Sequence, residues 1–140
     1  MNEKYMNLAI KEAIIAAKKG NVPVGAVIVR NGKIVAKGHN LKNKCFISLL
    51  HAEVVAIYKA CKRLNKWILD DCELYVTLKP CKMCYYAIAE SRIKKVYYLM
   101  ESNYNEQLEK NGKNIEFVLL NDNYNYSNIV NKFFSGLRNK

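Results

Sequence analysis

Apolar residues recur along the chain in two distinct rhythms. Between residues 3 and 19 they fall at Met6, Ala9, Ile10, Ala13, Ile14 and Ala17, a three-and-four spacing that predicts an amphipathic helix. Gly20 stands where such a helix takes its left-handed C-cap. The rhythm then changes. "VGAVIVRNGKIVAKG" holds two β-rich runs around Asn31-Gly32, a dipeptide that favours a two-residue hairpin turn. Residues 40–50 read as a loop, and helical spacing resumes from His51 to about Leu64. "CELYVTL", rich in β-branched and aromatic residues, reads as a strand. It runs into Pro80, which suits the first turn of a helix because its missing N–H is not needed there. That helix is expected over Cys81 to Glu90. "RIKKVYYL" and "IEFVLL" supply two more strands, and Ile129, Val130, Phe133, Phe134 and Leu137 share one face of a last helix.

Strands alternating with helices predict a mixed sheet covered on both faces. The chain has 140 residues with no repeat and no dividing linker, so one α/β domain over residues 1–140 is expected. No apolar run approaches the roughly 20 residues that a membrane helix needs. The early Glu3 does not fit a signal peptide, so a cytoplasmic location is the expectation. Charge changes the picture further. Twenty-three Lys and Arg against 12 Asp and Glu leave +11, a surplus that favours polyanions, nucleic acid first. Lysine and asparagine are abundant everywhere, however, and a biased composition produces the same surplus without any binding face.

The chemistry is concentrated in two short stretches. In "LLHAEVVAIYKAC" a histidine and a glutamate stand two apart at a helix start; thirty residues after His51, "PCKMC" opens another helix. Cys81 and Cys84, one turn apart at a helix N-terminus, would ionise readily and form a pincer for Zn²⁺, with His51 as the obvious third ligand. A closed structural site would need a fourth ligand from His39, Cys45, Cys61 or Cys72, none of which stands in a second pair. Three ligands with one open position fit better, and an open position is what a catalytic zinc needs. A redox pair is the other reading of "CKMC". Glu53 is suited to carry protons beside such a metal. On a regular helix, however, residues two apart point to nearly opposite sides, so His51 and Glu53 converge only if His51 lies in an irregular first turn.

"HAE" with "PCKMC" resembles the H-x-E…P-C-x-x-C signature of the zinc-dependent cytidine and nucleobase deaminases. "VPVGAVIVRNGKIVAKGHN" is similar to the hairpin of that superfamily. "LYVTLKPCKMCYYAIAESRIKKVYY" resembles the bacterial tRNA-specific adenosine deaminases, as does the ending "FFSGLR". The resemblance implies a cytidine-deaminase-like three-layer α/β/α fold with a mixed five-stranded sheet. It implies one Zn²⁺ per chain on His51, Cys81 and Cys84, and Glu53 as proton shuttle for a zinc-activated water. It places Asn40, Ala52 and Pro80 with the substrate contacts, and Phe134 and Arg138 as candidate RNA contacts. A homodimer acting on the adenosine of a tRNA anticodon loop is the implied whole.

Several stretches depart from that pattern. "CFISLL" precedes the histidine where an acidic residue, a proline and small residues are usual, and Lys79 replaces a glutamate. Tyr85 and Tyr86 stand where small residues are usual, and "LMESNYNEQLEKNGKN" replaces a glycine-rich loop. Two other functions therefore stay open: deamination of a free base or nucleoside such as guanine, cytosine or cytidine, and a non-catalytic zinc protein that binds RNA. Asn40 also reads as a plain turn residue. Phe133 and Phe134 read equally as core or dimer-packing residues, and Tyr124 and Tyr126 as platforms for splayed bases.

Overall fold

The computed structural model of the protein describes residues 2–41, 47–102 and 115–138. The predicted elements are present in the predicted order. They are α1 (Asn2–Lys18), β1 (Gly25–Arg30), β2 (Lys33–His39), α2 (Ala52–Leu64), β3 (Cys72–Leu78), α3 (Lys82–Glu90), β4 (Lys95–Met100), β5 (Glu116–Leu119) and α4 (Tyr126–Arg138). The sheet order is β2-β1-β3-β4-β5. β1 is antiparallel to β2 and β3, whereas β4 runs parallel to β3 and β5 parallel to β4. Asn31 and Gly32 both take positive φ, 51° and 74°, as a type I′ hairpin turn requires.

Alternation along the strands builds two cores. Ala26, Ile28, Leu74, Val76, Val96 and Tyr98 face Ala52, Ala56 and Ala60 of α2 and Ile88 of α3. Val27, Val29, Tyr75, Tyr97 and Leu99 face Met6, Ala9, Ile10 and Ala13 of α1, with Tyr126 at the head of α4. The result is the expected three-layer α/β/α arrangement. Small side chains let the helices lie close on the sheet, and two glycines are indispensable to that approach. A Cβ on Gly25 would fall 1.9 Å from the Ala9 carbonyl oxygen of α1, and one on Gly38 would fall 2.7 Å from the Ala52 oxygen of α2.

Several boundaries differ from expectation. The buried stripe of α1 runs from Ala13 to Ala16, with Ala17 only half-buried. There the helix closes: Asn21 N–H donates to the Ala16 carbonyl at 2.9 Å and Gly20 N–H to that of Ala17 at 3.0 Å, a Schellman turn around Gly20 with φ +82°. Pro80 is not in the first turn of α3 but one residue before its N-cap. The N-cap is Cys81, extended at φ −72° and ψ 178°, so the chain turns helical only after it. β4 begins at Lys95, not Arg92, because Arg92 takes φ 67° in the turn that leaves α3. Tyr126 is no platform for bases. It is fully buried and donates its hydroxyl to the Pro23 carbonyl at 2.6 Å. Cys45, Phe46 and most of the connector after β4 lie outside the described residues.

Candidate active site

α2 and α3 start in the same way, and that shared device assembles the site. His51 is the N-cap of α2, extended at φ −70° and ψ 157°, and like Cys81 it makes no side-chain cap hydrogen bond. A residue with extended backbone lies off the helical spiral, so His51 and Glu53 escape the opposition that two-residue spacing imposes inside a helix. In the same way Cys81 stands at the mouth of α3 and Cys84 within its first turn. The His51 Nδ1 is 3.7 Å from Cys81 Sγ and 3.5 Å from Cys84 Sγ. The three ligand atoms all lie within 4.8 Å of one another, and they form the one such group among the described residues. Tetrahedral zinc, with Zn–S of about 2.3 Å and Zn–N of about 2.05 Å, has an N···S edge of about 3.6 Å. The donor set fits zinc in both chemistry and size.

The thiols behave as a coupled pair. The hydrogen bond from Cys84 draws Cys81 down to about 4 against the opposing effect of burial, with help from His51. Cys84 is driven up, because it shares its proton with Cys81, is buried, and faces Glu53. Cys81 is therefore the more ready thiolate. Glu53, in the first turn of α2, is only 4% exposed. Burial pushes its carboxyl from 4.5 up to about 7, with a smaller contribution from the charge of Cys81. A carboxyl poised near neutrality both accepts and returns a proton.

Above these groups opens a cleft of about 580 Å³, lined by His51, Glu53, Cys81 and Asn40, with Phe133, Phe134 and Leu137 of α4 among its walls. Asn40 joins two parts of it. Its Oδ1 accepts the Ala52 N–H at 2.7 Å and its Nδ2 donates to the Val22 carbonyl at 3.0 Å. Asn40 thus caps α2 in place of His51. Ala52 and Pro80 are buried and do not line the cleft, and the Ala52 N–H is engaged by Asn40. Phe134 is exposed at the cleft, while the Arg138 side chain lies outside the described residues.

Residues 1–100 match the cytidine and deoxycytidylate deaminase zinc-binding region. The chain belongs to that family. Over 96 residues, 69% of its length, this deaminase domain is 50% identical to a tRNA-specific adenosine deaminase of Aquifex aeolicus, and the matched stretch spans 64% of that relative. Among solved structures, one from a study of A-to-I editing by tRNA:A34 deaminases superposes with a TM-score of 0.79. It is 30% identical and covers 84% of this chain and 97% of its own. A guanine deaminase of Bacillus subtilis superposes at 0.68 with 33% identity, covering 99% of this chain and 94% of its own.

The deaminase domain also recruits residues that sequence patterning did not single out for the cleft, among them Val22, Val24, Leu78 and Ser102. Leu78 and Ser102 follow from a general rule, since both lie at or just beyond the carboxyl ends of parallel strands, where ligands bind in open α/β sheets. Val22 and Val24 leave no such trace. They follow the Schellman turn, and nothing in their spacing marks them.

Proposed function

We propose that this chain is a hydrolytic deaminase that converts adenosine to inosine at the wobble position of tRNA. The observation that carries the reading is Glu53, a buried carboxyl poised at about 7 on the floor of an open cleft beside the His51, Cys81 and Cys84 cluster. Zinc, when bound, supplies the Lewis acidity that makes water a nucleophile at neutral pH. Glu53 takes the proton of the attacking water, passes it to the ring nitrogen of the base, and returns the second proton to the departing amine. One water is consumed and one ammonia leaves. Asn40 fixes the N-terminus of α2, and its second amide hydrogen serves as a donor to the nucleoside. The exposed ring of Phe134 offers a face for a base displaced from the loop. The +11 charge suits a polyanionic substrate, as do relatives named for tRNA. The reading includes a cytoplasmic location.

A homodimer belongs to the same reading. Tyr58 of α2 and Trp67 just beyond it are exposed (64% and 70%), as are Ile47 and Leu49 before α2 and Tyr86 of α3, and a second copy would cover such apolar side chains. A second reading, free-base deamination, is favoured by the likeness to the Bacillus guanine deaminase over nearly the whole chain. Zinc-loaded protein is expected to form inosine on an anticodon stem-loop with a wobble adenosine, and Glu53→Ala to lose at least about a hundredfold. Ammonia released from guanine, with no inosine, moves the chain to the second reading. Zinc content without turnover on any nucleobase substrate would revive the reading of a non-catalytic zinc protein that binds RNA or pairs with an active subunit.

A further inference from the structure

Lys79 stands two residues before Cys81, and its side chain is only 11% exposed. A cation in such a place needs compensation. Here it comes from three directions. The ammonium is 3.7 Å from Glu101 Oε1, and it lies 5.4 Å from the ring centroids of both Tyr98 and Phe117. Glu101 is itself held, since the Tyr98 hydroxyl donates to its Oε2 at 2.6 Å. The backbone joins in: Lys79 N–H donates to the Met100 carbonyl at 2.9 Å. Main chain and side chain therefore tie the turn ahead of Cys81 to β4, to Glu101 just beyond it, and to Phe117 of β5.

The same cage reaches the other cysteine. Phe117 stacks on Tyr85, with centroids 5.9 Å apart and planes at 15°. Tyr85 is buried and directly follows Cys84 in the first turn of α3. One lysine is thus connected to Cys81 through Pro80, and to Cys84 through Phe117 and Tyr85. We propose that Lys79, caged by Tyr98, Phe117 and Glu101, is a positioning residue that holds the two cysteines at the spacing zinc requires. The inference concerns the metal cluster and does not depend on which base is deaminated. The residues around metal ligands commonly set affinity in this way.

The test is the apparent zinc dissociation constant, read by chelator competition on full-length Lys79→Arg, Lys79→Gln and Lys79→Glu proteins. Melting curves of the metal-free proteins establish that each is folded. The glutamine and glutamate variants should bind zinc about tenfold or more weakly, and the arginine variant should stay within about threefold of the parent. Simple electrostatics has the opposite sign, because removing a cation beside a site for a dication tightens binding. Unchanged or tighter zinc in the glutamine and glutamate variants therefore overturns the assignment, as does an arginine variant as weak as the glutamine one. Should Lys79→Glu fail to fold, Phe117→Leu carries the test, since it removes the ring that joins Lys79 to Tyr85. It should weaken zinc about tenfold, and parent-like affinity there overturns the assignment.

Discussion

The region up to Met100 and the segment from Ile115 onward are built to different standards. β1, β3 and β4 are almost wholly buried, and their side chains make both cores. β5 has no fully buried residue, and among the described residues beyond Met100 Tyr126 is the one fully buried apolar side chain. α4 is held at its head by Asp122, which accepts the N–H groups of Tyr126 and Ser127, and by the Tyr126 hydroxyl on Pro23. The metal cluster and Glu53 belong to the first region; Phe133, Phe134 and Leu137 reach the cleft from the second. The candidate metal cluster is carried by the deeply buried part. The opposite wall of the cleft is carried by an attached part. Elements with few buried contacts open locally at low cost, and recognition surfaces are drawn from them.

The largest test of this contrast is Gly25→Ala in the first region. The added methyl collides with backbone of α1, and the loss should be on the order of 3 kcal/mol or more in urea unfolding. Glu53→Gln probes the cost of the chemistry itself in metal-free protein. The folded parent keeps a proton that the unfolded chain releases, so its stability is full below 4.5 and declines as pH rises through about 7. The decline attributable to Glu53 should total about 3 kcal/mol. Glu53→Gln should remove that slope, which the difference between the two unfolding curves against pH measures directly. In the second region, Tyr126→Phe strands the Pro23 carbonyl and should cost about 1–2 kcal/mol. Hydrogen exchange should speed in α4 and stay as slow as before in β1, β3 and β4; uniform speeding would merge the two regions into one. The smallest effect has the opposite sign. Gly136, on α4, has open space where a methyl would go, so Gly136→Ala should stabilise by about 0.5–1 kcal/mol.

What the sequence made legible follows the same division. Patterning located every element, because the helices bury one stripe and the central strands are short β-rich runs buried on both faces. It misjudged ends, and for a local reason each time: Gly20 closes α1 one turn after Ala16, Arg92 delays β4, and Cys81 rather than Pro80 marks the last extended residue before α3. His51, Glu53, Cys81 and Cys84 could be named in advance because their chemistry is rare and their spacing specific. Their convergence could not be, since it depends on two N-caps whose backbone is extended. Tyr126 was misread because an aromatic among asparagines looks solvent-facing, while the cavity it fills is lined by distant residues of α1 and the sheet. Lys79 was visible only as a departure; its cage requires β4 and β5 to be in place.

Asn40 ties the rim of the cleft to the first peptide of α2 by a single carboxamide, gripping the Val22 carbonyl with one end and the Ala52 N–H with the other. Rim and reaction centre are thereby geared together. Val22 lines the cleft entrance, and Ala52 opens the helix that carries Glu53 with His51 at its N-cap, so this one side chain spans the distance between the two. On the proposed function, Asn40 is the one side chain through which fit at the entrance would be felt at the floor.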